Sequence, residues 1–137
     1  MNILRRASLA LAVAALAQAS SVWDGVYTDD QAKRGQPLYN KYCASCHGEQ
    51  LTGGEDSPPL TGGAFLANWN GLTVGDLFER IRVSMPQNRP GQLTRQQNAD
   101  ILAFVLSANQ FPPGKTELAP DTERLKQIRF EAKNPGQ

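Results

Sequence analysis

Apolar positions along the chain change period several times, and each change marks an element. Ala7 to Leu16 is an apolar run interrupted only by Ser8. Beyond it the spacing becomes helical. Thr28-Asp29-Asp30-Gln31 has the pattern of a capping box and opens a helix toward Cys43, with Leu38 and Tyr42 four apart on a core-facing side. Pro37 lacks an N–H and clashes one turn back, so the pattern predicts a kink or a second helix start there. Thr73-Val74-Gly75-Asp76 opens a second helix of about ten residues, with Leu77 and Ile81 on its buried face. Ser84-Met85-Pro86 stops it, because the residue before a proline is pushed out of helical space. Thr94-Arg95-Gln96-Gln97 opens the third, in which Ile101, Phe104, Val105 and Ala108 follow the i, i+3, i+4, i+7 stripe until Phe111-Pro112-Pro113-Gly114. Gly48 to Gly63 has little periodicity and reads as loop. Asn88 to Leu93 reads as a turn with Pro90-Gly91 at the two central positions of type II. Thr122 to Phe130, with Leu125 and Ile128 three apart, supports one or two helical turns. There is no strong strand signal, and the expected class is all-α: three main helices and long loops.

The first apolar run is set apart by its flanks. Arg5-Arg6 precedes it and Ala17-Gln18-Ala19 follows, the three-part plan of a secretory signal peptide cleaved after Ala19. The rival reading is an uncleaved anchor, but the run is too short for a span and no second hydrophobic stretch exists. The expected organisation is a leader over 1–19, a domain over 20–112, and an extension over 113–137 that packs on the domain or trails from it. The expected compartment is the periplasm, with no membrane span in the mature chain. Of 137 residues 40% are hydrophobic and 20% charged, and 12 Gly with 9 Pro point to a loop-rich fold. Net charge is +1, and loss of Arg5 and Arg6 with the leader turns it to −1. A nucleic-acid binder of this size would be far more basic.

The chain has two cysteines and one histidine, and all three fall in Cys43-Ala44-Ser45-Cys46-His47. In an oxidising compartment two cysteines pair unless something else captures them. Two thiols at this spacing can each add across one vinyl group on one edge of a haem, which carries the next residue, His47, under the ring to ligate iron. Export places the chain where such attachment occurs. A structural zinc site needs four ligands, and no second Cys or His cluster is available. A thioredoxin-like pair wants a βαβ context, which is missing, and a plain disulfide leaves the adjacent histidine as coincidence. The expected cofactor is one covalently attached haem c with its iron. The second axial ligand follows by elimination: after the leader there is no other histidine, and Met85 is the only methionine. Met85 ends a helix, Pro86 stiffens its backbone, and a thioether raises the potential of the iron it ligates. The competing reading of a lone methionine is a gap-filler in the core.

These motifs, in this order, resemble class I cytochrome c. Gly35 precedes Leu38 and Tyr39 in the first helix; Cys43 to Gly48 reads C-A-S-C-H-G. Pro58-Pro59-Leu60-Thr61-Gly62 resembles the family's P-x-L-x-G loop, Ser84-Met85-Pro86 its methionine loop, and Asp100 to Val105 its last helix. The resemblance covers Gly35 to about Ala108 and leaves out Trp23 to Tyr27 and the tail beyond Pro112. It implies that the first and last helices cross near Gly35, which lets the helix bearing Phe104 approach closely. It also implies that the Pro58 carbonyl accepts from the His47 ring N–H. Pro37 departs from the usual pattern.

Other residues carry open alternatives. The Trp69 indole could donate to a haem propionate or be an ordinary buried aromatic. Arg82 and Arg89 could offset propionates, but solvated surface arginine is the plainer reading. The glycines from Gly53 to Gly63 lack the Gly-Lys-Ser/Thr of a phosphate loop. Glu55 and Asp56 read as a solvated loop tip, and Trp23 as a cap on the core. The resulting expectation is a mono-haem carrier that passes single electrons between periplasmic redox proteins by outer-sphere transfer. Cys43 and Cys46 bind the haem, His47 and Met85 ligate the iron, and no residue is catalytic. Alternatives are an electron-transfer subunit of a periplasmic dehydrogenase of the quinoprotein type, or a haem-based gas or peroxide sensor or enzyme.

Overall fold

Thr28 sits in extended backbone and its hydroxyl accepts the Gln31 N–H at 3.1 Å, starting helix α1 (Asp29–Tyr42). The computed structural model describes residues 20–137; the leader reading lies on residues outside that range. The expected capping box forms only by half. The Gln31 side chain turns into the core instead, where Oε1 accepts the Leu118 N–H at 2.7 Å and Nε2 donates to the Leu118 carbonyl at 3.1 Å. α1 also runs through Pro37 as one helix, so the second helix start that was one of the two expectations does not occur. Lys33 and Pro37 both lie on its exposed side, so the carbonyl deprived of a partner is open to water and the ring has room.

After the one-turn helix α2 (Ala44–His47) and the expected loop, a helix absent from the sequence reading follows, α3 (Gly63–Trp69). Helix α4 (Val74–Ser84) opens with a full capping box between Thr73 and Asp76, and α5 (Arg95–Ala108) with another between Thr94 and Gln97. α1 and α5 form the main helix pair. They touch at Gly35, where a Cβ would overlap the Asp100 carbonyl and stand 3.0 Å from Phe104 Cβ. Only glycine permits that approach. Gln31, Arg34 and Gln96 all donate to the buried Asp100 carboxylate beside the crossing.

The tail folds back over this frame. Leu118, Leu125 and Phe130 are buried, and α6 (Thr122–Leu125) packs on α4 across Gly75. Ile128 does not extend that helix as its spacing implied. It starts a two-residue strand β2 (Ile128–Arg129), parallel to β1 (Ser20–Ser21). Phe130 donates its N–H to the Leu72 carbonyl and accepts the Gly71 N–H, fastening the tail to the α3–α4 turn. Its ring lies edge-on to Phe65 and Phe111, and Phe111 in turn packs on Trp23. The Trp23 indole donates to the Glu131 carbonyl, so this residue caps the core as expected. Among the described residues the β1–β2 pair is the one sheet, and the fold is all-α.

Candidate functional site

The cysteine pair is built by the junction of α1 and α2. Cys43 ends α1 and at the same time caps α2, and its carbonyl accepts the N–H groups of Cys46 (3.2 Å) and His47 (3.0 Å). Residues three and four apart in a helical turn share a face, so this one turn groups both sulfurs with the imidazole. Neither cysteine is in a disulfide; Cys43 is half-buried and Cys46 exposed. Burial, and then the neighbouring Cys46, pushes the Cys43 thiol up to about 11. A disulfide-exchange nucleophile or thiolate metal ligand needs the opposite shift. Among the described residues no three His, Cys, Asp or Glu side chains converge as a metal site would need.

His47 is 7% exposed, and its Nδ1 lies 2.8 Å from the Pro58 carbonyl. A carbonyl can only accept, so Nδ1 donates, which in the neutral imidazole leaves the lone pair on Nε2. Among the described residues Nε2 makes no hydrogen bond, and since Asn98 Oδ1 is the one buried side-chain polar atom without a partner there, Nε2 is open to the surface. The loop that delivers Pro58 is closed by backbone. Gly53 donates to the His47 carbonyl at 2.8 Å, and Leu60 to the Leu51 carbonyl at 2.8 Å. Gly53 has φ +84°, and a Cβ there would stand 2.7 Å from the Ser57 carbonyl oxygen and 2.8 Å from Pro59 N. The expected His47–Pro58 contact is therefore present, and Gly53, which the sequence reading took only as loop, makes it possible. Tyr39 was named in the first-helix motif, but its hydroxyl was given no role. It is fully buried and donates to the Gly48 carbonyl at 2.7 Å, a role its i+4 spacing from Gly35 could have signalled.

Met85 lies on a different element, at the C-cap of α4, in extended backbone and half-buried. Among the described residues no hydrogen bond or ring contact joins it to Cys43, Cys46 or His47. Leu60, two residues after Pro58, and Ile81, one turn before Met85, are both partly exposed apolar side chains packed against the core. Each loop thus offers uncovered apolar surface beside its candidate ligand. A flat apolar group with two reactive vinyl carbons and an iron that accepts nitrogen and sulfur fits this donor set.

The remaining candidates separate. Trp69 ends α3 half-buried, and among the described residues its indole N–H makes no hydrogen bond. Arg82 is ion-paired with Glu79, and Arg89 is exposed. Glu55 and Asp56 are exposed, as a solvated loop tip should be.

The profile of the family described as cytochrome C oxidase, cbb3-type, subunit III matches residues 30–105, more than half of the chain. Among solved structures, a chain described as belonging to the crystal structure of the sulfane dehydrogenase SoxCD from Paracoccus pantotrophus superposes with a TM-score of 0.52. It is 23% identical, and the match covers 89% of this chain and 68% of that one. At that identity the likeness establishes a shared fold. No curated protein sequence matches.

Proposed function

The chain belongs to the family described as cytochrome C oxidase, cbb3-type, subunit III, and from that premise we propose that it carries single electrons between redox proteins outside the cytoplasm. It is a class I-type c-cytochrome domain whose cofactor is covalently bound haem c. When bound, haem c would supply an iron that gains and loses one electron. Cys43 and Cys46 provide the two thioether sulfurs, and the α2 turn presents them on one face. His47 provides Nε2, with its tautomer held by Pro58 so that the lone pair is ready. Met85 would provide a neutral thioether, a ligand that favours ferrous iron. The partly exposed apolar side chains around both loops exclude water once covered, which keeps the charge change small in solvation cost.

The observation that carries this reading is the state of His47: ring largely buried, Nδ1 held by the Pro58 carbonyl, and Nε2 open to the surface without a hydrogen bond among the described residues. The periplasmic address rests on the leader pattern of residues 1–19. No helix of the described residues is long and apolar enough to cross a membrane. A second reading, a dedicated electron-transfer subunit of a dehydrogenase, draws on the shared fold with a chain of the sulfane dehydrogenase structure. The test of the main reading is attachment. After denaturation and acid-acetone extraction the colour should stay with the protein, and Cys46→Ala should yield mostly apoprotein. Haem leaving with the solvent would end the covalent assignment to these cysteines.

A further inference from the structure

Tyr39 is one of the largest fully buried side chains of the protein, and as a ring alone it would serve as phenylalanine. A buried hydroxyl without a partner costs roughly 1–3 kcal/mol, so its partner matters. That partner is the carbonyl of Gly48, the residue immediately after His47, at 2.7 Å. The bond begins a chain of contacts that returns to the imidazole. Gly48's carbonyl also accepts the Leu51 N–H at 3.1 Å, and Leu51's carbonyl accepts the Leu60 N–H at 2.8 Å. The Gly53 N–H holds the His47 carbonyl, and the Pro58 peptide lies where a Gly53 side chain would be. Pro58 then holds the His47 ring through Nδ1–H. At its other end Tyr39 is fixed firmly. Its ring packs on Phe104 with centroids 5.3 Å apart, and Phe104 is the residue pressed against Gly35 at the α1–α5 crossing.

We propose that Tyr39 is a positioning residue for His47, tying the loop that carries the Pro58 carbonyl to the rigid helix crossing and so setting the donor strength of the imidazole. The inference rests on the proposed reading of His47 as an iron ligand. A firm Nδ1–H···O=C bond raises the basicity of Nε2 and favours ferric iron. Loosening the loop weakens that bond and raises the reduction potential.

The experiment compares Tyr39→Phe with Tyr27→Phe in the full haem-bearing protein. Tyr27 is also buried and its hydroxyl donates to the Phe111 carbonyl, in the wrap of the chain ends rather than the site loop. Each variant loses one buried O–H···O=C bond, so both should lose stability to a similar degree. Tyr39→Phe alone should raise the potential beyond the spread of repeat titrations and speed solvent exchange of the His47 ring N–H about tenfold. Equal potentials and ring exchange in the two variants would reduce Tyr39 to a packing residue. Amide exchange on the unmutated protein gives a check that needs no substitution. Leu51, Gly53 and Leu60 should be protected together and as strongly as α1, and exchange at ordinary loop rates would overturn the tether. A chain with no thioether-bound haem would instead end the proposed function itself, whereas a loaded chain with an unmoved potential ends only this inference.

Discussion

Residues 48–60 and residues 85–93 each follow a proposed axial ligand, yet the two loops are held differently. The first closes on itself and on its ligand. Gly53 bonds the His47 main chain, Pro58 bonds the His47 ring, and Gly54 donates to the Ser57 carbonyl. In the second, among the described residues, the backbone bonds are Met85 N–H to Ile81 and Arg89 N–H to Pro86. The Leu93 carbonyl at its far end is reached, at 3.5 Å, by the Asn98 amide, whose own Oδ1 is buried without a partner. Residues 87–92 are all exposed. The histidine side is held by several hydrogen bonds within its own loop, while the methionine side has few and ends beside the unpartnered Asn98 Oδ1. Under the proposed function, the ligand beside the attachment cysteines would adjoin the more heavily bonded loop, and Met85 the more sparsely bonded one.

The contrast is sharpest at two glycines. Gly53 (φ +84°) and Gly91 (φ +76°) are both left-handed, but a Cβ on Gly91 meets nothing within 4 Å. Gly91→Ala should therefore cost only the backbone strain, about 1 kcal/mol. Gly53→Ala adds a collision with the backbone of Ser57 and Pro59 that cannot rotate away, and should cost about 3 kcal/mol and lower haem content. Urea unfolding and haem-to-protein ratio measure both. Equal losses in the two variants would abolish the distinction between the loops.

Truncating the proposed ligand itself should have a smaller effect on stability. Met85 is half-buried, so Met85→Ala should cost about 1–2 kcal/mol and leave haem attached. The ferric protein should lose the weak far-red sulfur-to-iron band, the potential should fall, and the ferrous protein should bind carbon monoxide. His47 and its loop should be unaffected, as amide exchange can check. Rapid carbon monoxide binding by the unmutated ferrous protein would instead support the sensor or enzyme reading, because it would mean the iron is already open.

What was legible in the sequence follows the range of the forces. Capping at Thr73 and Thr94 acts over three residues: both helices open where read, the Thr94–Gln97 box forms, and Thr73, read only as a helix start, forms a box with Asp76 as well. The close approach at Gly35 and the His47–Pro58 bond were legible through the family resemblance, because each is carried by a residue in a motif. Contacts between distant segments were not. Gln31 fits a capping box locally, but Leu118, distant in sequence, offers two bonds in the core and wins. Pro37 reads as a breaker on local grounds, yet the pairing of α1 with α5 outweighs one missing hydrogen bond on an exposed face. Ile128 has helical spacing from Leu125, but pairing with Ser20 takes it into a strand. The missed α3 has only seven residues and no side-chain cap, so the chain gives little local notice of it.

Acid should expose the same asymmetry more gently. Glu79 lies on α4, the helix that ends at Met85, and its carboxylate accepts from Arg82 and from Thr122 of the tail. Those bonds, with a weaker contribution from the Arg95 charge, hold it down at about 2, below the usual carboxylate value of 4.5. Asp121, Glu123 and Lys126 share the groove of about 400 Å³ around it. Because the folded value is depressed, the stabilisation is fully present above about pH 4.5 and disappears as pH falls toward 2. Glu79→Gln should thus be less stable than the unmutated protein above pH 5, with the gap closing between pH 4.5 and 2. The Glu79 side chain is 38% exposed, so solvent screening keeps the gap small and salt should narrow it further. On the histidine side the contacts are main-chain bonds, the imidazole–carbonyl bond and hydroxyl–carbonyl bonds from Tyr39 and Thr61, with no carboxylate among them. In the same acid titration the far-red band of the methionine side should fade before the amides of residues 51–60 lose protection. A gap that is constant with pH, or that widens in acid, would show that Glu79 does not tie α4 to the tail.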